Sequence, residues 1–234
     1  MVSAVQTILD SDIFHYEITD KSAMFTSASC ASSPVRYSIT PSYWKRNYEI
    51  SGPCPVFVEN SKVTPGKSDL TFHDSTRQGP VMATVKYRHV SADIKIGLHD
   101  NNFGAFRWKS LSRVKRGTFR YSFTHELDHG KPETFTWQAK HHLSFTQSGS
   151  MELIHDRTGD IAAVFANYSV LYPPTSRNES DGQVLEVKMD LEEDFHFIIL
   201  VTCLALYEQM SRRNNNAASS ADASAGIGGA GSTI

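Results

Sequence analysis

Cysteine is scarce in this chain, and there is no excess of basic charge. The three cysteines, Cys30, Cys54 and Cys203, are too few and too widely spaced for a disulfide framework or a Cys-x-x-Cys metal or redox motif. That usage fits an intracellular setting. Lys plus Arg total 23 against 25 for Asp plus Glu, a formal net charge of −2. A general nucleic-acid binder carries a net basic face, so nucleic acid is not the expected partner. The first thirty residues lack a basic stretch followed by an apolar one, so no secretory signal is expected. No Gly-x-Ser-x-Gly elbow, P-loop or dinucleotide fingerprint occurs. At 40% hydrophobic and 21% charged residues, the chain still has enough apolar side chains to bury a core.

Most of the sequence alternates with a period of two. Val35, Tyr37 and Ile39 form one such run, as do Val81, Ala83 and Val85, then Ile94, Ile96 and Leu98. Phe14, Tyr16 and Ile18 form another near the start, and Phe119, Tyr121 and Phe123 one in the middle. Each run is short and bounded by Gly, Pro, Asn or Asp, which is the pattern of half-buried strands. About a dozen runs spaced in this way predict a barrel or sandwich. Two stretches resemble each other: Leu70–Val85 and Leu153–Phe165 each read as strand, His-Asp, a turn with Gly, then a strand with Ala. They are either two similar hairpins or the trace of a duplicated half-barrel.

One segment breaks the alternation. Phe195–Tyr207 is apolar in every direction, which for a helix means burial or a membrane span. Thirteen residues rise only about 20 Å against a hydrocarbon core of about 30 Å, and His196 interrupts the run. The reading is therefore a buried helix. Asp190 and Glu193 have the spacing of a capping box, and Arg212 and Arg213 are placed to suit the helix C-terminal dipole. A helix apolar all round needs a wall all round. The expected architecture is thus mainly β: a closed antiparallel barrel of about twelve strands around a buried C-terminal helix. The expected limits are a flexible segment at residues 1–11, the barrel at 12–213 and a disordered Ser/Ala/Gly-rich tail at 214–234.

The paired hairpins at Asp74–Gly79 and Asp156–Gly159, the aromatic pair Phe135 and Trp137, and the terminal segment Phe195–Arg213 together resemble the Tubby C-terminal-like superfamily. That group includes LURP-one-related proteins and phospholipid scramblases. The resemblance covers about Phe14 to Arg213 and lies in the order of parts. It implies a twelve-stranded barrel around one helix. It implies no single activity, since members are linked to phosphoinositide binding, to lipid scrambling or to other roles. The proline-rich region typical of scramblases is absent, and there is no clear calcium loop.

The strongest charge signal is basic. Arg107, Lys109, Arg113, Lys115, Arg116 and Arg120 fall within fourteen residues, and no acidic residue occurs from Asn101 to His125. If Phe106 and Trp108 point inward, Arg107 and Lys109 point outward, and Ser110–Gly117 reads as a loop carrying three more cations. One hairpin would then present six cations to an anionic lipid surface, each worth about 1 kcal/mol. The plain alternative is a solvated edge whose charges discourage aggregation. His125-Glu126-Leu127-Asp128-His129 matches His-Glu-x-x-His, which on a helix binds zinc. Here it follows a strand pattern and meets Gly130 and Pro132 at once, and chance supplies it in roughly one chain in fifty of this composition. His141-His142 is a weak ligand pair, and His73-Asp74 and His155-Asp156 read as turn openers, since an Asp side chain bonds nearby backbone amides. The expectation is a monomeric, cytoplasmic, non-enzymatic module without cofactor or metal. It would bind anionic phospholipid, with a protein-interaction scaffold as the alternative and a zinc hydrolase as the remote one.

Overall fold

The computed structural model describes residues 34–42, 47–61, 68–88, 91–100, 104–127, 130–139, 150–167, 182–189 and 192–225. The alternating runs form β1 (Val35–Pro41), β2 (Tyr48–Ser51), β3 (Val56–Asn60), β4 (Leu70–Asp74), β5 (Val81–Tyr87) and β6 (Ile94–Asp100). They continue as β7 (Ala105–Arg113), β8 (Arg120–Glu126), β9 (Pro132–Ala139), β10 (Met151–His155), β11 (Ile161–Asn167) and β12 (Gln183–Val187), followed by helix α1 (Glu193–Ala225). Each strand pairs antiparallel with its sequence neighbours, and β1 pairs with β12, closing a twelve-stranded barrel. Closure removes the open edges that a sheet would otherwise expose. The expected strand at Phe14, Tyr16 and Ile18, and the expected boundary at residue 12, lie outside the described residues.

Helix α1 fills the barrel. Every residue from Ile198 to Leu206 is buried. Side chains from opposite parts of the wall reach it. Phe135 and Phe123 meet Phe195, Phe72 meets Phe197, and Phe165 and Tyr48 meet Tyr207. The one polar side chain in the middle of the run, Thr202, gives its hydroxyl proton to the Ile199 carbonyl and accepts from Trp137 Nε1 at 3.0 Å. Among the described residues, no helix is long and apolar enough to cross a membrane.

Both helix limits differ from the sequence expectation. The Glu192 carbonyl accepts the first helical bond, from the His196 amide, so the cap position is Glu192, and Asp190 lies outside the described residues. At the other end the backbone stays helical to Ala225, past the 213 boundary read from composition. The segment after 213 lacks apolar anchors, but its alanines are the best helix formers and extend a helix already nucleated in the barrel. Arg212 and Arg213 consequently sit inside the helix and serve no C-terminal dipole.

Arg212 has a different task. Its guanidinium donates to Glu208 Oε1 at 2.8 Å, Asp69 Oδ1 at 2.7 Å and Asn60 Oδ1 at 2.8 Å, and lies over the Tyr87 ring. Tyr48 donates to the other Glu208 oxygen at 2.5 Å, and Tyr87 donates to the Ala205 carbonyl at 2.9 Å. Burial opposes the Arg212 charge, but its bonds to Glu208 and Asp69 outweigh that and raise its pKa. This network ties α1 to β2, β3 and β5 and fixes the helix at one depth. The end of the barrel it closes is termed the base, and the end where α1 begins is the mouth.

The two similar hairpins, β4–β5 and β10–β11, lie six strands apart in a barrel of twelve. Each has a register shift at the same place, one residue before the alanine: Phe72 opposes Ala83 and His73 opposes Val81, while Leu153 opposes Ala163 and Ile154 opposes Ile161. The geometry favours the half-barrel reading for the bulges. The histidines do not share it, because His155 stacks on inward-facing Phe135, whereas His73 follows buried Phe72 and takes the outer face.

Arg212→Ala leaves Glu208 and Asp69 at the base without their cation. It is expected to lower unfolding free energy by about 3 kcal/mol in urea titrations, while Arg213→Ala, on an exposed side chain, stays within about 0.5 kcal/mol of wild type.

Candidate functional site

The six cations do not share one face. Antiparallel partners point to the same side of a sheet, and Trp108 opposes Gly97 while Lys109 opposes Ile96 and Leu111 opposes Ile94. Ile94, Ile96 and Leu111 are buried, so Arg107, Lys109 and Arg113 take the inward parity and Phe106 and Trp108 the outer one. This reverses the expected orientation. The segment holds apolar residues of both parities, and cross-strand register, which the alternation does not contain, decides between them. Arg107 and Lys109 tolerate the inward side because they lie at the mouth, level with or above the start of α1. Arg107 pairs with Asp100 at 3.4 Å.

Strand β7 also runs further than expected, to Arg113, leaving a shorter turn. Arg113 Nε donates to the Thr118 carbonyl at 3.1 Å, across that turn, and Lys115 and Arg116 are exposed at its tip. Arg120 is exposed on the outer wall at the start of β8. Lys109 lies four residues, about 13 Å, from the end of β7 at Arg113, and Lys115 lies beyond it in the turn. The cations therefore divide. Arg107 and Lys109 belong to the mouth, and Arg113, Lys115, Arg116 and Arg120 belong to the base. Helix α1 adds one cation at the base that the sequence pattern assigned elsewhere: Arg213 donates to the Tyr121 hydroxyl at 3.3 Å, and Tyr121 is the cross-strand partner of Arg113. Among the described residues, no carboxylate forms an ion pair with Arg113, Lys115, Arg116, Arg120 or Arg213. Between them Val114 is 52% exposed.

The mouth carries a cluster that the linear sequence conceals. Strands β7 and β8 pair only at Ser112 with Ser122 and Arg113 with Tyr121, whereas β8 and β9 pair along seven positions. In the unpaired part of that seam, Lys109 Nζ lies 2.7 Å from His125 Nδ1. His125 opposes Glu133, whose Oε2 is 2.6 Å from His155 Nε2 and whose Oε1 is 3.0 Å from Arg157. A row of titratable groups thus crosses β7 to β10 above an aromatic floor: the His125 ring stacks on Phe195 and the His155 ring on Phe135. Burial, then the charge of Lys109, push His125 down to about 4. Burial likewise lowers Lys109, aided by Arg107 and opposed by Glu126. Neutral His125 can therefore accept the Lys109 proton bond. Bonds from His155 and then Arg157 hold Glu133 below the ordinary carboxylate range. Thr158 Oγ1 sits 2.9 Å from the other His155 nitrogen and also accepts from the Asp160 amide, so His155 pins the β10–β11 turn to β9.

Zinc chemistry of the His-Glu-x-x-His kind needs a helix. His125 and Glu126 lie on β8, with His125 buried toward α1 and Glu126 exposed on the other side, and His129 lies outside the described residues. No group of three or more His, Cys, Asp or Glu among the described residues is placed to hold a metal ion. His141 and His142 also lie outside the described residues. Cys203 is buried in α1, where desolvation raises its thiol pKa and makes it a poor nucleophile. No family model matches the chain, and neither a curated protein nor a solved structure does.

The low His125 value has a direct consequence. In the unfolded chain a histidine binds a proton near pH 6.5, whereas in the barrel it does so only near 4. Between these values the unfolded state holds more protons, so stability falls as pH drops through the window. Urea titrations from pH 7 to 4 are expected to show a loss of about 1 kcal/mol from this group, the partial exposure of the mouth reducing the full linkage value. His125→Gln flattens that part of the profile. An unchanged slope would remove His125 as its source.

Proposed function

We propose that the chain is a non-enzymatic Tubby-like module that binds anionic phospholipid headgroups, phosphoinositides among them, at the β7–β8 turn on the base of the barrel. A cytoplasmic location, peripheral at the inner face of a membrane, belongs to the same reading. The observation that carries it is the composition of the turn: exposed Val114 flanked by Arg113, Lys115 and Arg116, with Arg120 and Arg213 beside them; among the described residues none of these side chains forms an ion pair with a carboxylate, and the nearest acidic contact is Asp93, whose Oδ1 accepts from the Arg113 amide. A solvated protective edge needs scattered charges. It does not need an apolar side chain at the centre of a cation group. The closed barrel around a C-terminal helix agrees with the architecture that the Tubby-like resemblance implies. The mouth cluster offers less to an anion, because Glu133, Asp100 and Glu126 stand among its cations.

Cations near an anionic membrane contribute about 1 kcal/mol each, and salt screens them over about 10 Å at 0.1 M. Co-sedimentation with vesicles containing phosphatidylserine and phosphatidylinositol bisphosphate tests the site at two salt concentrations. Changing Lys115, Arg116 and Arg213 together to Ala is expected to weaken binding about 100-fold, and raising salt to weaken the wild type. Lys109→Ala, at the mouth, leaves binding unchanged. Equal losses from Lys109→Ala and the triple variant would remove the turn as the site.

A further inference from the structure

The outer wall beside the basic turn carries an unusual surface. Trp108 is 47% exposed, and with Val114 and Ile161 it makes up the exposed large apolar residues among those described. Two of these three lie on β7 and its turn. Trp108 is not a loose side chain. The benzo end of its ring lies across Gly97 on β6, where a Cβ would meet ring atoms at 3.2 Å, so glycine provides the shelf on which the indole rests. Phe106 sits two residues along on the same face, its ring 6.3 Å from Trp108 and 5.5 Å from His99. Lys86 Nζ stands 5.2 Å from the Trp108 ring centroid, and Lys95 bonds Ser110 on the same wall.

We infer that the barrel lies side-on against an anionic bilayer, with the outer wall of β5–β8 facing the lipid and Trp108 seated at the headgroup level. This rests on the proposal that the β7–β8 turn binds anionic lipid. Three observations select the occupant and the orientation. First, charge is complementary to an anionic surface. Lys86 and Lys95 stand beside Trp108, Arg120 lies opposite Val114 at the base end of the wall, and no carboxylate lies on the outward positions of β5, β6 or β7; the acidic exceptions are Glu126, at the mouth end of β8, and Asp93, just before β6, whose Oδ1 accepts from the Arg113 amide. Second, the apolar groups sit as far apart as a side-on contact requires. Trp108 lies five residues, about 17 Å, from the end of β7 at Arg113, and Val114 follows in the turn, so a barrel standing on its base would bring Val114 alone to the lipid. Third, the ring itself is partly covered. Lys86 stands over it and Gly97 lies beneath its edge, which leaves little open face for a nucleobase to stack upon. A half-exposed indole on a cationic surface is the arrangement that suits the membrane–water interface.

The test uses the full chain carrying Trp44→Phe, in which buried Trp137 remains as the reference emitter. Vesicles of phosphatidylcholine and phosphatidylserine, with and without dibrominated phosphatidylcholine, report contact between the indole and the acyl chains. The expected result is a blue shift on binding and bromolipid quenching, both absent when Trp108→Phe is added. Trp108→Ser is expected to reduce vesicle partitioning roughly tenfold with an unchanged far-ultraviolet spectrum. Vesicle binding that depends on Lys115 and Arg116, with Trp108 unquenched and Trp108→Ser without effect, overturns the side-on orientation and leaves the turn as the lipid site. Absence of vesicle binding by the folded wild type overturns both. Shift of Trp108 emission by a single-stranded oligonucleotide, with no vesicle response, overturns the lipid as occupant in favour of nucleic acid.

Discussion

An α-helix that is apolar in every direction has no stable place in water, and this chain meets that constraint by building a wall around one. Nine consecutive buried positions, Ile198 to Leu206, leave no face for solvent. A flat sheet would cover one side of such a helix and expose the other. Only a closed sheet covers all of it, and the twelve strands supply the closure. The interdependence runs both ways: the helix fills a lumen that side chains of the wall alone would leave partly empty, and the wall shields a segment that would otherwise aggregate. The polar groups follow from the same constraint. Thr202, Glu208 and Arg212 are tolerated within or just below the apolar run because Trp137, Tyr48, Asp69 and Asn60 satisfy them from the wall.

The helix also gives the barrel two unlike ends. At the base, Arg212 and Glu208 draw β2, β3 and β5 onto the helix, and Arg213 is carried out beside the β7–β8 turn. At the mouth, α1 begins at Glu193 and its first buried ring is Phe195, so the inward positions level with and above that ring need no apolar side chain. Lys109, His125, Glu133 and His155 occupy that rim in a row set by cross-strand register. The short pairing of β7 with β8 is part of the same feature, since Lys109 and His125 meet where the backbone ladder is missing.

Strand β7 shows how one structural decision redistributes a charge pattern. Its sequence, Ala105-Phe-Arg-Trp-Lys-Ser-Leu-Ser-Arg113, places aromatics on one parity and a leucine on the other. Taking the aromatics as the core puts six cations outside. The structure takes Leu111 as the core because its partner Ile94 lies inside, and Trp108 finds its support on Gly97. Two of the six cations thereby move to the mouth, and a tryptophan moves to the outer surface of the wall above the remaining ones. The base retains its cations because turns and strand starts are exposed whatever the parity.

What the sequence determined by itself was the class of fold. Period-two runs with turn residues between them, and one segment with no polar side, leave a barrel around a helix as the economical solution, since local propensity and hydrophobic pattern are both contained in the linear order. The paired hairpins were legible for the same reason, down to the Gly of each turn. The tertiary structure decided everything that depends on register. It placed Trp108 outside and Lys109 inside, brought His125 to Lys109 and Glu133 to His155, and joined Arg212 to Asp69 across 143 positions of sequence. It also set the helix limits, where a nucleated helix carries alanine-rich sequence beyond the point at which apolar anchors cease. Side-chain period tells which residues share a face of one strand. Only pairing with the next strand tells which face is the inner one, and that choice creates both the mouth cluster and the surface around the basic turn.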